Sequence, residues 1–217
     1  MPHPEGPREH YYTRSEEVAN TVSAGAGLVV FLGVSPFLML AALRSEQPWA
    51  VASAAIFLAS VLTLYLTSTL YHALAPGKAK RVLRLLDHAA IFVLIAGTYT
   101  PFALGPLAES GGVTLAAVEW AMAGMGIAFK LAGGIQYRHL SNAIYLCMGW
   151  LGLLWIRPFI ENATWQGFLW VLSGGVVYTV GILFYASKNR AYMHFIWHLF
   201  VFAGSSCHTI AVWRYAI

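Results

Sequence analysis

The sequence predicts an all-α protein, a bundle of seven transmembrane helices with the N-terminus cytoplasmic and the C-terminus outside. Three observations predict it. Of 217 residues, 59% are hydrophobic and 10% charged, with a mean hydropathy of +0.64, whereas a soluble domain is about a quarter charged. Seven apolar windows follow one another, each near the roughly 20 residues that carry a helix across a bilayer. The basic residues fall on one side of the resulting zigzag. Seven spans leave no room for a sizeable soluble domain, so the expected division is a polar cytoplasmic segment over 1–19 and a membrane domain over 20–217. The membrane domain therefore has to hold the function.

The windows lie at about 20–42, 49–72, 86–106, 112–132, 140–158, 166–187 and 191–213. The first follows a polar head, "MPHPEGPREHYYTRSEE", which has no charged n-region running at once into an apolar core and so does not read as a cleaved signal peptide. The fifth is the shortest, interrupted by Arg157 and Pro158 in "LGLLWIRPFI"; a proline disfavours helix at the residue before it. Charge bias supports counting it. Arg8, Arg14, Lys78, Lys80, Arg81, Arg84, Lys130, Arg138, Lys188 and Arg190 fall on the side of the N-terminus, against Arg44, Arg157 and Arg214 on the other. Basic loops stay in the cytoplasm, which sets the orientation and places the chain in the cell's inner (plasma) membrane as a multi-pass protein.

Other classes lose ground. The basic residues sit in short loops without aromatic interleaving, which argues against nucleic acid as a partner. Cys147 and Cys207 lie inside apolar runs, so neither a disulfide framework nor a CxxC motif is present and both read as packing residues. The four-residue spacing of Ala116, Trp120, Gly124 and Ala128 predicts a close-packing helix face.

The chemistry lies in polar residues inside the spans. Ser68 and His72 in "STLYH", and His194 and His198 in "HFIWH", are pairs at i, i+4, which share one helix face. Depth brings the pairs together: span two ends where span seven begins, and Asp87 opens span three from that same side. Glu17 and Asn20, in "SEEVAN", precede span one at this level too. Ionisable groups are costly inside a membrane, so His72, His194, His198 and Asp87 at one depth imply mutual pairing, a water-filled cavity or an ion. Three neutral imidazoles with one position open is the arrangement of a catalytic zinc site, and the absence of thiolates favours zinc over softer metals. His3, His10, His88 and His139 read as ordinary interfacial or hydrogen-bonded histidines.

"EEVANTVSAG", "STLYHAL", "LDHAAIFVLIAGTYTPF" and "MHFIWHLFVFAGSSCH", in this order, resemble the hemolysin III family, the bacterial branch of the progestin and adipoQ receptor (PAQR) superfamily. The resemblance runs from about residue 14 to the end. It implies seven helices and a Zn2+ site near the cytoplasmic face, with His72, His194 and His198 as ligands. It also implies Asp87 beside the metal's water and Ser68 facing the site. Relatives in the superfamily and the more distant alkaline ceramidases are linked to hydrolysis of lipid amides such as ceramide, and bacterial members to haemolysis and membrane homeostasis. One departure concerns the first motif, where a "THG" type run is usual and this chain has Ser23, Ala24 and Gly25. The family's histidine there is absent, which puts an acid/base role in the first span in doubt.

On that resemblance the expected function is zinc-dependent hydrolysis of a ceramide-like or other acyl amide. Zinc lowers the pKa of its water to about 7 and polarises a carbonyl. Asp87 would take the water's proton or instead hold a ligand imidazole, and Ser68 would stabilise the oxyanion. The alternatives are a serine hydrolase built on Ser68 and His72, a pore-forming hemolysin, and a receptor-like regulator with a structural zinc. His208 lies about 15 Å beyond His198 along the helix, too far for the same metal. Its depth matches that of Glu119, and the two are expected to pair as a buried polar unit or proton relay.

Overall fold

The computed structural model describes residues 12–133, 136–187 and 190–217; the readings of Arg8, His3, His10 and Lys188 fall outside these. Among the described residues seven α-helices follow in order: α1 Arg14–Arg44, α2 Ala50–Ala73, α3 Lys78–Leu104, α4 Gly112–Leu131, α5 Arg138–Leu151, α6 Ile156–Ala186 and α7 Met193–Tyr215. Among the described residues there is no strand. By length and composition, six helical runs are suited to crossing a membrane, one of them the 49-residue stretch Arg138–Ala186 that holds both α5 and α6.

α1 begins six residues before its expected start because its first turn is capped. Thr13 Oγ1 accepts the Glu16 amide at 3.3 Å while Glu16 Oε2 accepts the Thr13 amide at 3.0 Å, a reciprocal capping box. Its outer surface carries exposed Val22, Val29, Leu32, Phe37 and Leu43. Such an exposed apolar face suits lipid and not water.

The fifth expected span is built differently from a single helix over 140–158. α5 stops at Leu151, a 3₁₀ turn spans Gly152–Trp155, and α6 starts at Ile156 with a break at Thr164, whose φ of 64° is non-helical. Pro158 lies in the first turn of α6, where its missing N–H would have had no helical partner in any case. The chain reverses here. Trp150 Nε1 donates to Thr179 Oγ1 at 3.1 Å, although 29 residues of straight helix would separate them by about 43 Å. The turn lies level with the α3–α4 loop, since Asn162 Nδ2 donates to Ser110 Oγ at 3.3 Å.

Sequence-adjacent helices pack against each other and α1 packs on α7, which closes the bundle into a ring. Gly97 admits Ser60 between α2 and α3, and Gly126 admits the Phe92 ring between α3 and α4; a β-carbon at either would collide. The buried residues of α4 are Gly112, Leu115, Ala116, Glu119, Ala123, Gly126 and Lys130. The face predicted from small residues is corrected in part: Ala116 is buried, but Trp120, Gly124 and Ala128 are exposed, because residue size alone does not set a helix's rotation. Cys147 is likewise exposed and not packed, while Cys207 is partly buried.

Candidate metal centre

One end of the ring collects the start of α1, the end of α2, the start of α3 and the start of α7. His72, His194 and His198 meet there, all buried, each offering one nitrogen within 4.8 Å of the others. His72 Nε2 and His194 Nε2 lie 3.1 Å apart. Two nitrogens on a tetrahedral zinc with bonds of 2.0–2.1 Å would be separated by about 3.3 Å, so the spacing fits a shared ion.

The neighbours decide which nitrogens are available. His72 Nδ1 donates to Glu17 Oε2 at 2.6 Å, and His198 Nδ1 donates to the Asn20 carbonyl at 3.2 Å, with Ser23 Oγ at 2.9 Å. A carboxylate and a carbonyl only accept, so the proton sits on Nδ1 in both rings. Their Nε2 lone pairs therefore face inward as ligand atoms. The donor set fits a metal on the chemistry of these contacts. Glu17 is itself held by Lys80, whose Nζ lies 2.9 Å from Glu17 Oε1 and donates to the carbonyls of Tyr71 and Leu74 at 2.9 Å each. Lys80 thus ties the end of α2 to α1.

α7 is positioned by two further contacts. Glu16 Oε1 accepts the amide of Tyr192, a residue in the left-handed region at φ 61°, immediately before the helix. Tyr12, ahead of α1, stacks on the His194 ring at 5.0 Å between centroids. Burial pushes the Tyr12 phenol well above its usual pKa and keeps it neutral there.

Among the described contacts, the carboxylate bonded to an imidazole of the triad is Glu17, not Asp87. Asp87 is buried on α3 beside Ser68, with His88 Nδ1 at 3.7 Å from its carboxylate. Ser68 Oγ lies 3.5 Å from His198 Nε2 and makes no bond to His72, so the serine–histidine pair of a Ser68/His72 hydrolase does not form. His88 is occupied by the Arg84 carbonyl at 2.7 Å, and His139 is exposed.

A narrow, mostly apolar cavity of about 120 Å³ begins at Ser68, Asp87, His194 and His198 and runs toward the opposite end. Its wall on α3 passes Ile91, Leu94 and Thr98 to Phe102, fifteen residues from Asp87 and so about 22 Å long. Ala24 of α1 lines it as well.

The expected pairing of Glu119 with His208 is not formed. His208 Nε2 donates to the Val171 carbonyl at 3.1 Å, whereas Glu119 is 0% exposed and both its carboxyl oxygens lack a partner. The two were matched by depth, but α4 and α7 stand on different sides of the ring. Sequence reasoning assigned no site role to Tyr12, Ser23 or Lys80. Lys80 carried a signal as a lysine one short loop away from His72, but it was absorbed into the charge bias.

The family model described as "Haemolysin-III related" matches residues 12–209. The chain is 40% identical over 206 residues to "Hemolysin-3 homolog" of Bacillus subtilis (strain 168), covering 95% of this chain and 97% of that one. It is 38% identical over 202 residues to "Hemolysin-3" of Bacillus cereus, with 93% and 92% covered. The human "Monocyte to macrophage differentiation factor" is 28% identical over 181 residues, with 79% and 73% covered.

Proposed function

Because the chain belongs to the haemolysin-III-related family, within the progestin and adipoQ receptor superfamily, we propose that it is a zinc-dependent hydrolase of lipid amides, embedded in the inner membrane. The reading takes seven crossings, with the triad at the cytoplasmic face. The reversal between α5 and α6 supports the seventh crossing, and the one-sided basic loops support the orientation.

The observation that carries the reading is the apolar cavity ending on His194 and His198 of the triad, with Asp87 and Ser68. Its length suits one acyl chain, and its lining suits lipid better than a column of water. An all-imidazole set with no thiolate and an open fourth position favours Zn2+. Bound there, the ion would polarise the acyl carbonyl and acidify water.

The chain's own residues supply the remainder. Glu17 fixes the His72 tautomer, and Asn20 and Ser23 fix that of His198. Asp87 takes a proton from the attacking water as the new C–O bond forms, then returns it to the amine nitrogen as the C–N bond breaks. Ser68 donates a hydrogen bond to the developing oxyanion. The products are a free fatty acid and an amine. Elemental analysis of the purified protein, followed by release of fatty acid from ceramides and other acyl amides, tests the proposal. About one zinc per chain with turnover that chelation abolishes is the expected result; full metal with no turnover on any acyl amide would overturn the hydrolase.

A further inference from the structure

Two lysines are buried at the triad's end of the bundle, and their surroundings differ. Lys80, 3% exposed, has a carboxylate and two carbonyls. Lys130, 1% exposed at the end of α4, has a single neutral partner, Ser141 Oγ at 2.5 Å. Nearby, Arg138 in the first turn of α5 has its Nη1 buried without a partner. Among the described residues, neither Lys130 nor Arg138 has a carboxylate within ion-pair distance. A buried cation is strongly disfavoured unless an anion compensates it, so Lys130 and Arg138 lack a counter-charge among the described residues.

The α5 N-terminus adds to the deficit. Tyr137 provides no side-chain cap, and the first amides of a helix present a positive dipole end suited to phosphate. The corner also lies on the bundle's lipid-facing surface: Leu131, Tyr137 and Leu140 around it are 65%, 56% and 52% exposed. A free anion would gain nothing from that apolar rim, whereas an amphiphile with a charged head would use both. We propose that the inner ends of α3, α4 and α5 form a binding site for the phosphate of an anionic phospholipid. Lys130 and Ser141 form its floor, Arg138 lies one helical turn before Ser141 as the second cation, and Leu131, Tyr137 and Leu140 contact the acyl chains. Basic pockets between helices at a membrane face serve this purpose in other proteins.

The test is thermal unfolding of the full chain in a zwitterionic detergent, with added phosphatidylglycerol, phosphatidylcholine or inorganic phosphate. Phosphatidylglycerol is expected to raise the midpoint by several degrees at saturating excess, and the other two by little. Lys130→Met is expected to fold, since an apolar side chain replaces an uncompensated charge, and to lose the response; Arg138→Gln, at the partly exposed rim, is expected to weaken it several-fold. If Lys130→Met does not fold, Arg138→Gln alone decides. An equal response to phosphatidylcholine, or an unaltered response in Arg138→Gln, would overturn the site. A response to inorganic phosphate matching that to phosphatidylglycerol would overturn the lipid and leave a plain anion site.

Discussion

Two sets of buried ionisable groups occupy opposite halves of the bundle, and they are built on contrary terms. Around the triad, His72 and His198 are each oriented by a partner, Glu17 is shared between His72 and Lys80, and Lys80 also closes the end of α2. In the other half, Glu119 has no partner for either oxygen and His208 bonds a single backbone carbonyl. A group that keeps its partners inside a membrane is pre-organised for a ligand, and one that lacks them destabilises the fold. Burial alone therefore does not identify the metal centre. The connectivity of its groups does.

The sharpest way to break the contrast is His194→Ala combined with His198→Ala, which removes two of three ligands and is expected to abolish metal binding by elemental analysis, with the fold intact by circular dichroism. Asp87→Asn separates chemistry from binding: metal content stays at the parental level while amide hydrolysis falls by roughly 10²- to 10⁴-fold, the usual worth of a positioned acid–base group. Glu17→Gln leaves a weaker acceptor for His72 and is expected to lower metal affinity about 10- to 100-fold in a competition assay. Glu119→Met belongs to the other half, and there the expectation reverses. Metal content stays unchanged, and removing two unpartnered oxygens stabilises the protein by about 1–3 kcal/mol in denaturant titration.

The triad's half was legible in the sequence because depth along a helix follows from a fixed rise of about 1.5 Å per residue. That rise places His72, Asp87 and the His194/His198 pair on one level from the sequence alone. Rotation about the ring is a different variable, set by which faces pack. That is why Glu119 and His208, equal in depth, stand apart, and why Trp120, Gly124 and Ala128 of α4 turned outward while Ala116 did not. Tyr12, Ser23 and Lys80 escaped notice for the same reason, since each acts across a helix boundary. The break at Gly152–Trp155 was signalled by Arg157 and Pro158, but a proline can end one helix or begin the next, and here it begins α6.

The ring is closed by contact between α1 and α7, and the centre draws Glu17, Asn20 and Ser23 from the first helix, His72 from the second, and His194 and His198 from the last. During synthesis the chain emerges from its N-terminus, so most of the membrane domain is made while a lone imidazole of the triad is in place. No ion can be held by the full set until residue 198 has entered the bilayer. Loading of an ion there would be the final act of assembly, and a chain cut short anywhere before α7 would carry an open seam and an incomplete cradle.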